Sequence, residues 1–197
     1  PHSVSGWTNV VGDPGISVVT AVSSTGVGIS SVATSNWAAY SGHCAADSVG
    51  ENVNGFFPAA VLFNHWYTYE TVYNVTKPQL KLSGLSKTGL YGIWLTGSAT
   101  GSPATNPTTY TVIGHINYGS QLLNTVNNST YGAAFNAITP DSTGSITIYV
   151  SSTASTAADI TGLVLTALPV TGSLTTGLGI GQAGSTLALG DSITGTG

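Results

Sequence analysis

The stretch Gln79-Leu-Lys-Leu-Ser-Gly-Leu-Ser-Lys-Thr-Gly-Leu-Tyr-Gly-Ile-Trp-Leu-Thr96 decides the fold. It holds two short runs, Gln79 to Leu82 and Leu90 to Thr96, parted by Ser83-Gly84, and neither run is long enough or periodic enough to be a helix. The same grammar recurs outward in both directions. Asp13-Pro14-Gly15 is turn chemistry, and Ile16 to Val22 after it alternates well enough for a strand. Tyr69 to Val75, Tyr110 to Ile113, Ser145 to Val150 and Gly162 to Leu168 read as further strands. Between them lie Asn54-Gly55, Gly101 to Pro107 and Pro140 to Gly144. Only Pro58 to His65 gathers apolar residues as a short helical turn would. Many short strands at this spacing predict an all-β antiparallel β-sandwich, a jelly roll.

Composition points the same way. Only 5% of the 197 residues are charged, against an average near 25%. With two Glu, three Lys and no Arg or Met, the residues that favour helices are almost missing, and the surface is left to Ser, Thr, Asn and Gly. The 41% apolar fraction is ample for a real core. A net charge of -4, with Lys77, Lys81 and Lys87 as the fixed cations, cannot neutralise a run of phosphates. The sequence therefore argues against nucleic acid as a partner, and no stretch approaches the ~20 apolar residues of a membrane helix. The lone Cys44 excludes an internal disulfide framework. The chain starts at Pro1 with neither Met nor a signal-type apolar segment, as a processed product or fragment would.

Domain organisation follows from a change at Pro169. Residues 1–168 read as the sandwich; residues 169–197 read as a Gly/Thr-rich extended tail or linker. From Gly172 onward there are eight glycines and no aromatic residue, yet Leu174, Leu178, Ile180, Leu187, Leu189 and Ile193 persist. A purely flexible linker needs no such aliphatics, so the tail is expected to be extended, with its strands completed by a neighbouring chain or domain.

A series of stretches, in order, resembles the galactose-binding-like jelly-roll modules of large surface and secreted proteins of Bacteroidetes bacteria and their phages. They are Gly6-Trp7-Thr8-Asn9, Phe57-Pro58-Ala59-Ala60-Val61, His65-Trp66-Tyr67-Thr68, Leu80 to Leu85, Tyr91 to Ser98, Thr108 to Val112, Ile138 to Asp141, Gly144 to Ile148 and Ile160 to Leu165. The resemblance spans about residues 5 to 168. It implies a two-sheet accessory or adhesive module and no catalytic residues.

Leu189-Gly190-Asp191-Ser192 is similar to the nucleophile block of SGNH, or GDSL-type, hydrolases, in which Ser192 would attack an ester. No His follows it and the sequence given ends five residues later, so these residues do not complete that site. Gly42-His43-Cys44 sets a thiol beside an imidazole with Asp47 close behind, but neighbours on a strand point to opposite faces, and a small buried Cys beside a loop His is the simpler reading. Asp13, Asp47, Asp141, Asp159 and Asp191 look like turn or cap residues, and Glu51 and Glu70 are the two glutamates, so no carboxylate pair for glycoside cleavage emerges. No cofactor is expected; a structural Ca²⁺ suits a sandwich, but no residues mark its place. Asn74, Asn127 and Asn128 each open an Asn-x-Ser/Thr acceptor pattern.

Aromatic residues make the better case for binding. Phe56, Phe57, His65, Trp66, Tyr67, Tyr69 and Tyr73 fall within one region, and sugars need flat apolar faces beside polar groups such as Asn64 and Glu70. Alternation sends Tyr67, Tyr69 and Tyr73 to one face and Trp66 toward the core. Candidate ligand contacts are Trp66, Tyr67, Tyr69, Asn64, Glu70 and Trp37, with Tyr40 and Tyr118 as looser candidates.

Two functions fit. One is a non-catalytic structural or adhesive module of an extracellular, cell-surface or virion-surface assembly such as a fibre, filament or appendage, joined through its tail to other copies or neighbouring subunits. The alternative is a carbohydrate-binding accessory module of a secreted esterase or glycan-degrading enzyme, with a cell-surface glycan as its partner.

Overall fold

A computed structural model describes residues 8, 10, 12–32, 37–41, 64–69, 78–99, 107–152 and 156–169, with the side chains of 38–41 and 64 left aside. Twelve strands and no helix occur among these residues. They are β1 (Thr20–Val22), β2 (Gly28–Ser31), β3 (Ala38–Ser41), β4 (Asn64–Thr68), β5 (Gln79–Ser83), β6 (Leu90–Thr96), β7 (Pro107–Ile113), β8 (Asn117–Asn124), β9 (Ala133–Ile138), β10 (Ile146–Ser152), β11 (Ala158–Ile160) and β12 (Gly162–Leu168). They form a six-stranded sheet, β1-β2-β5-β10-β7-β8, and two three-stranded sheets, β11-β4-β3 and β12-β6-β9. Every strand pairing is antiparallel. From β5 to β12 the chain passes back and forth between sheets, as a jelly roll requires.

The core lies between the layers. Leu80, Leu82, Tyr110, Val112, Ile146, Ile148 and Val150 supply it from the large sheet, and Ile93, Leu95, Phe135, Ile138 and Ile160 from the small ones. Alternation explains the selection: on β6 Tyr91, Ile93 and Leu95 point inward, and across the register Leu163 and Leu165 of β12 join them. Each fully buried Leu or Ile stabilises the sandwich by about 1.5–3 kcal/mol before entropy is counted.

β6 and β12 have the bounds expected from sequence, whereas the run Ile16 to Val22 is a strand only from Thr20. Ile16 sits instead in the turn begun by Asp13, whose Oδ1 accepts a hydrogen bond from Gly15 N at 2.8 Å. A second turn does what its sequence announces. Asp141 Oδ1 accepts from Thr143 Oγ1, Thr143 N and Ser145 N, which holds its carboxyl below the usual range, and Gly144 supplies φ 77°. Of the strand expected from Tyr69 to Val75, Tyr69 alone is described, just past the end of β4 at Thr68; residues 70–75 lie outside the described set. So do residues 58–63 of the expected helical turn, Cys44, and the tail from 170 onward; Asn64 and His65, its last two residues, begin β4.

Two sheet edges are closed by side chains. The Gln121 amide on β8 pairs with both the N–H and the carbonyl of Ala134 on β9, and Thr139 N donates to Tyr118 Oη at 2.7 Å. Across the molecule, Asp159 N on β11 donates to Thr108 Oγ1 at 2.9 Å and Tyr110 Oη donates to Asp159 O at 2.6 Å. Buried backbone groups need partners, and at Asp159 the Thr108 and Tyr110 hydroxyls stand in for a neighbouring strand.

Candidate functional site

β4 carries the sequence's aromatic cluster. Its period of two puts His65, Tyr67 and, just past the strand end, Tyr69 on one face, with Trp66 and Thr68 on the other. The three rings form a row: His65 to Tyr67 and Tyr67 to Tyr69 are each 5.7 Å between centroids, the second pair edge-on at 87°. The row climbs outward. His65 is buried, Tyr67 half-buried, and Tyr69 is 66% exposed.

Trp66 turns toward the core as alternation predicts. It meets Trp37 edge-on with centroids 6.1 Å apart and donates its Nε1–H to the Gly12 carbonyl at 3.2 Å. Trp37 is itself 5% exposed and belongs to the core cluster. Of the six candidate contacts, the structure thus brings Tyr67 and Tyr69 together at the surface and draws Trp37 and Trp66 inward. Asn64 opens β4 opposite Ser41, and Glu70 lies outside the described residues. Of the looser candidates, Tyr118 uses its hydroxyl as the cap already described, and Tyr40 pairs with His65 across β3 and β4.

At the inner end of the row stands a residue that the sequence misassigned. Asp159 is not a turn residue: it is the middle of β11, 1% exposed, in register with Tyr67 and therefore on the ring-bearing face. Its Oδ1 lies 3.5 Å from His65 Nε2, and its Oδ2 accepts a hydrogen bond from Thr125 Oγ1 at 2.9 Å. Burial pushes the Asp159 carboxyl up to about 6 while the Thr125 hydroxyl pulls it back. Burial, and then the nearby Asp159 charge, hold the Tyr110 hydroxyl well above its ordinary value, so it stays a donor.

The carboxylate is also a structural joint. Its residue is gripped by Thr108 and Tyr110 of the large sheet and by Thr125, and the backbone at Gly97 approaches so closely that a Cβ there would meet the Asp159 carbonyl and the Tyr110 hydroxyl. Nearby, Asn128 donates through Nδ2 to Gly97 O at 2.9 Å and to Tyr131 O at 2.8 Å, and accepts from Tyr131 N. A side chain so engaged and only 5% exposed is no glycan acceptor, which removes one of the three patterns read from sequence; Asn127 beside it is exposed at φ 47°. The signal for the dyad was present in neither strand alone, since it exists only once β4 and β11 pair.

Chemically, the pair can hold a proton away from solvent, and the row can present one ring to it. Among the described residues no three His, Cys, Asp or Glu side chains gather as metal ligands, and no helix is long and apolar enough to cross a membrane.

No protein-family model and no curated protein matches the chain. A solved structure described as "CBM4 structure and function" aligns with 66% of this chain and 86% of its own length, at 13% identity and a TM-score of 0.37, too remote to carry an argument about this one.

Proposed function

We propose that the chain is a non-catalytic module that binds a neutral glycan at Tyr69 and Tyr67. The observation that carries this reading is the exposed Tyr69 ring backed edge-on by Tyr67. A tyrosine in that setting offers an apolar face to pyranose C–H groups and leaves its hydroxyl in water. The sheet that bears it supports an uncharged ligand. Apart from tyrosine hydroxyls, its strands β3, β4 and β11 carry His65 and Asp159 as ionisable groups, both buried.

An array of neutral oligosaccharides, followed by calorimetric titration of any hit, tests the proposal. Tyr69→Ala should weaken binding about tenfold, which equals ~1.4 kcal/mol, and leave the melting temperature unchanged. A wild-type chain that retains no glycan at millimolar concentration defeats it.

A second reading, the structural module of a surface assembly, is supported by another feature. Ile16, Val18 and Val22 are 80%, 53% and 69% exposed along the outer edge strand β1 and the residues just before it. Aliphatics in that position favour contact with another chain. An extracellular setting, on a cell or virion surface, agrees with a skin of hydroxyls in place of ions.

A further inference from the structure

Among the described residues two tyrosines are largely exposed, Tyr69 of the ring row and Tyr131 in the turn between β8 and β9. We propose that Tyr131 is a second stacking ring, and that one neutral glycan chain spans from it to Tyr69. This rests on the glycan reading and extends it from one sugar contact to an extended ligand.

A lone exposed tyrosine on a protein surface needs no explanation. What marks Tyr131 is what holds it. Asn128, itself 5% exposed, accepts through Oδ1 from Tyr131 N at 2.9 Å and from Thr130 N at 3.2 Å, and donates through Nδ2 to Tyr131 O at 2.8 Å. Thr96, fully buried at the end of β6, donates to the same carbonyl at 3.0 Å. Two buried side chains thus fix both backbone groups of a residue whose ring is 67% exposed. A tyrosine held in this way is in place before any partner arrives, so it offers a large flat contact with little conformational entropy left to lose.

The setting suits an uncharged, hydroxyl-rich ligand. From Thr125 to Gly132 the chain has no ionisable group except the Tyr131 phenol, and the exposed Asn127 and Thr130 beside it carry an amide and a hydroxyl, the groups that pair with sugar hydroxyls.

A short series of contacts joins the two rings through the fold. Asn128 Nδ2 also donates to Gly97 O at 2.9 Å, Gly97 abuts the Asp159 carbonyl, Asp159 pairs with Tyr67, and Tyr69 lies two residues further on. With a strand rise of about 3.4 Å per residue, these steps put the two tyrosine backbones on the order of 20 Å apart. A monosaccharide cannot reach both, whereas an oligosaccharide of several units can. Two weak contacts on one chain then reinforce each other, because a sugar chain held at one ring is at high local concentration beside the second.

Calorimetric titration of the 197-residue chain with neutral oligomers of glucose, xylose, mannose and galactose, each as dimer and hexamer, tests the proposal. In a series that binds, the hexamer should bind the wild type at least about tenfold more tightly than the dimer. Tyr131→Ala should bring the hexamer down to about the affinity of the dimer, and leave the dimer and the melting temperature unchanged. Tyr131→Phe keeps the stacking face and should bind the hexamer as the wild type does. If Tyr131→Ala binds the hexamer as tightly as the wild type while Tyr69→Ala does not, the spanning ligand is overturned and the single-ring reading stands. An equal loss for dimer and hexamer in Tyr131→Ala also overturns it. If no series binds, the glycan reading and the proposal fall together.

Discussion

Among the described residues, β11 and β1 both end a sheet with no further strand beside them, and their edges are treated in opposite ways. At β11 the Asp159 N–H and carbonyl each find a hydroxyl, on Thr108 and Tyr110, in a setting that excludes water. At β1 the strand is three residues long, its end residues are exposed, and Ile16, Val18 and Val22 stand in solvent around it. The difference teaches where this sequence spends its specificity. An unsatisfied backbone group costs ~1–3 kcal/mol inside the protein and almost nothing where water replaces the partner, so the inner edge must be sealed by particular residues and the outer edge is left to whatever meets it.

The sharpest way to break the comparison is to force the sealed edge apart. Gly97→Ala places a methyl group against the Asp159 carbonyl, which is backbone held in β11, and against the buried Tyr110 hydroxyl. The expected loss is about 3 kcal/mol or more. Chemical denaturation monitored by tryptophan fluorescence checks it, and a variant as stable as the wild type would mean that the joint is looser than its distances imply.

Next comes the seal itself. Tyr110→Phe keeps the ring in the core and removes the donor, leaving the Asp159 carbonyl buried without it. A loss of about 2 kcal/mol is expected, visible as a fall of several degrees in melting temperature. Gln121→Ala at the β8–β9 seam removes the amide that serves both backbone groups of Ala134. Because that seam is partly open to water, about 1 kcal/mol is expected, and hydrogen exchange at Ala134 should quicken in the variant.

How much of this was legible in the sequence depends on distance along the chain. Leu90–Thr96 and Gly162–Leu168 could be read because each strand is a continuous apolar run bounded by Gly or Thr. The turns at Asp13 and Asp141 could be read because an Asx turn is complete within three or four residues. β8 and β9 could not. Asn-Tyr-Gly-Ser-Gln at the start of β8 has no apolar alternation, since its work is done by the Tyr118 and Gln121 side chains. In β9 a bulge, with exposed Ala137 at φ 56°, breaks the period of two.

The candidate site divides along the same line. Alternation alone put Tyr67 and Tyr69 on one face and Trp66 on the other. Asp159 was misread because an aspartate among Ser, Thr and Ala has the local grammar of a turn, and the residues that make it a buried base partner, His65 on β4 and Thr125 just past β8, sit far back in the chain. Local chemistry is written in neighbours; a dyad is written in topology.

The smallest expected effect tests the open edge. Val22→Lys places a charge on a side chain that is already 69% exposed, on a strand that has no partner on its outer side among the described residues. Stability should change by less than about 0.5 kcal/mol, because nothing is uncovered or desolvated. If β1 receives a second copy of the chain, the same substitution should lower self-association measured by sedimentation velocity at high concentration, as edge lysines do in natural sheets. If the wild type is monomeric there and the variant is indistinguishable from it, the exposed aliphatics answer to no second copy, and the surface-assembly reading loses the observation that supports it, while the sealed edge and the ring row are untouched.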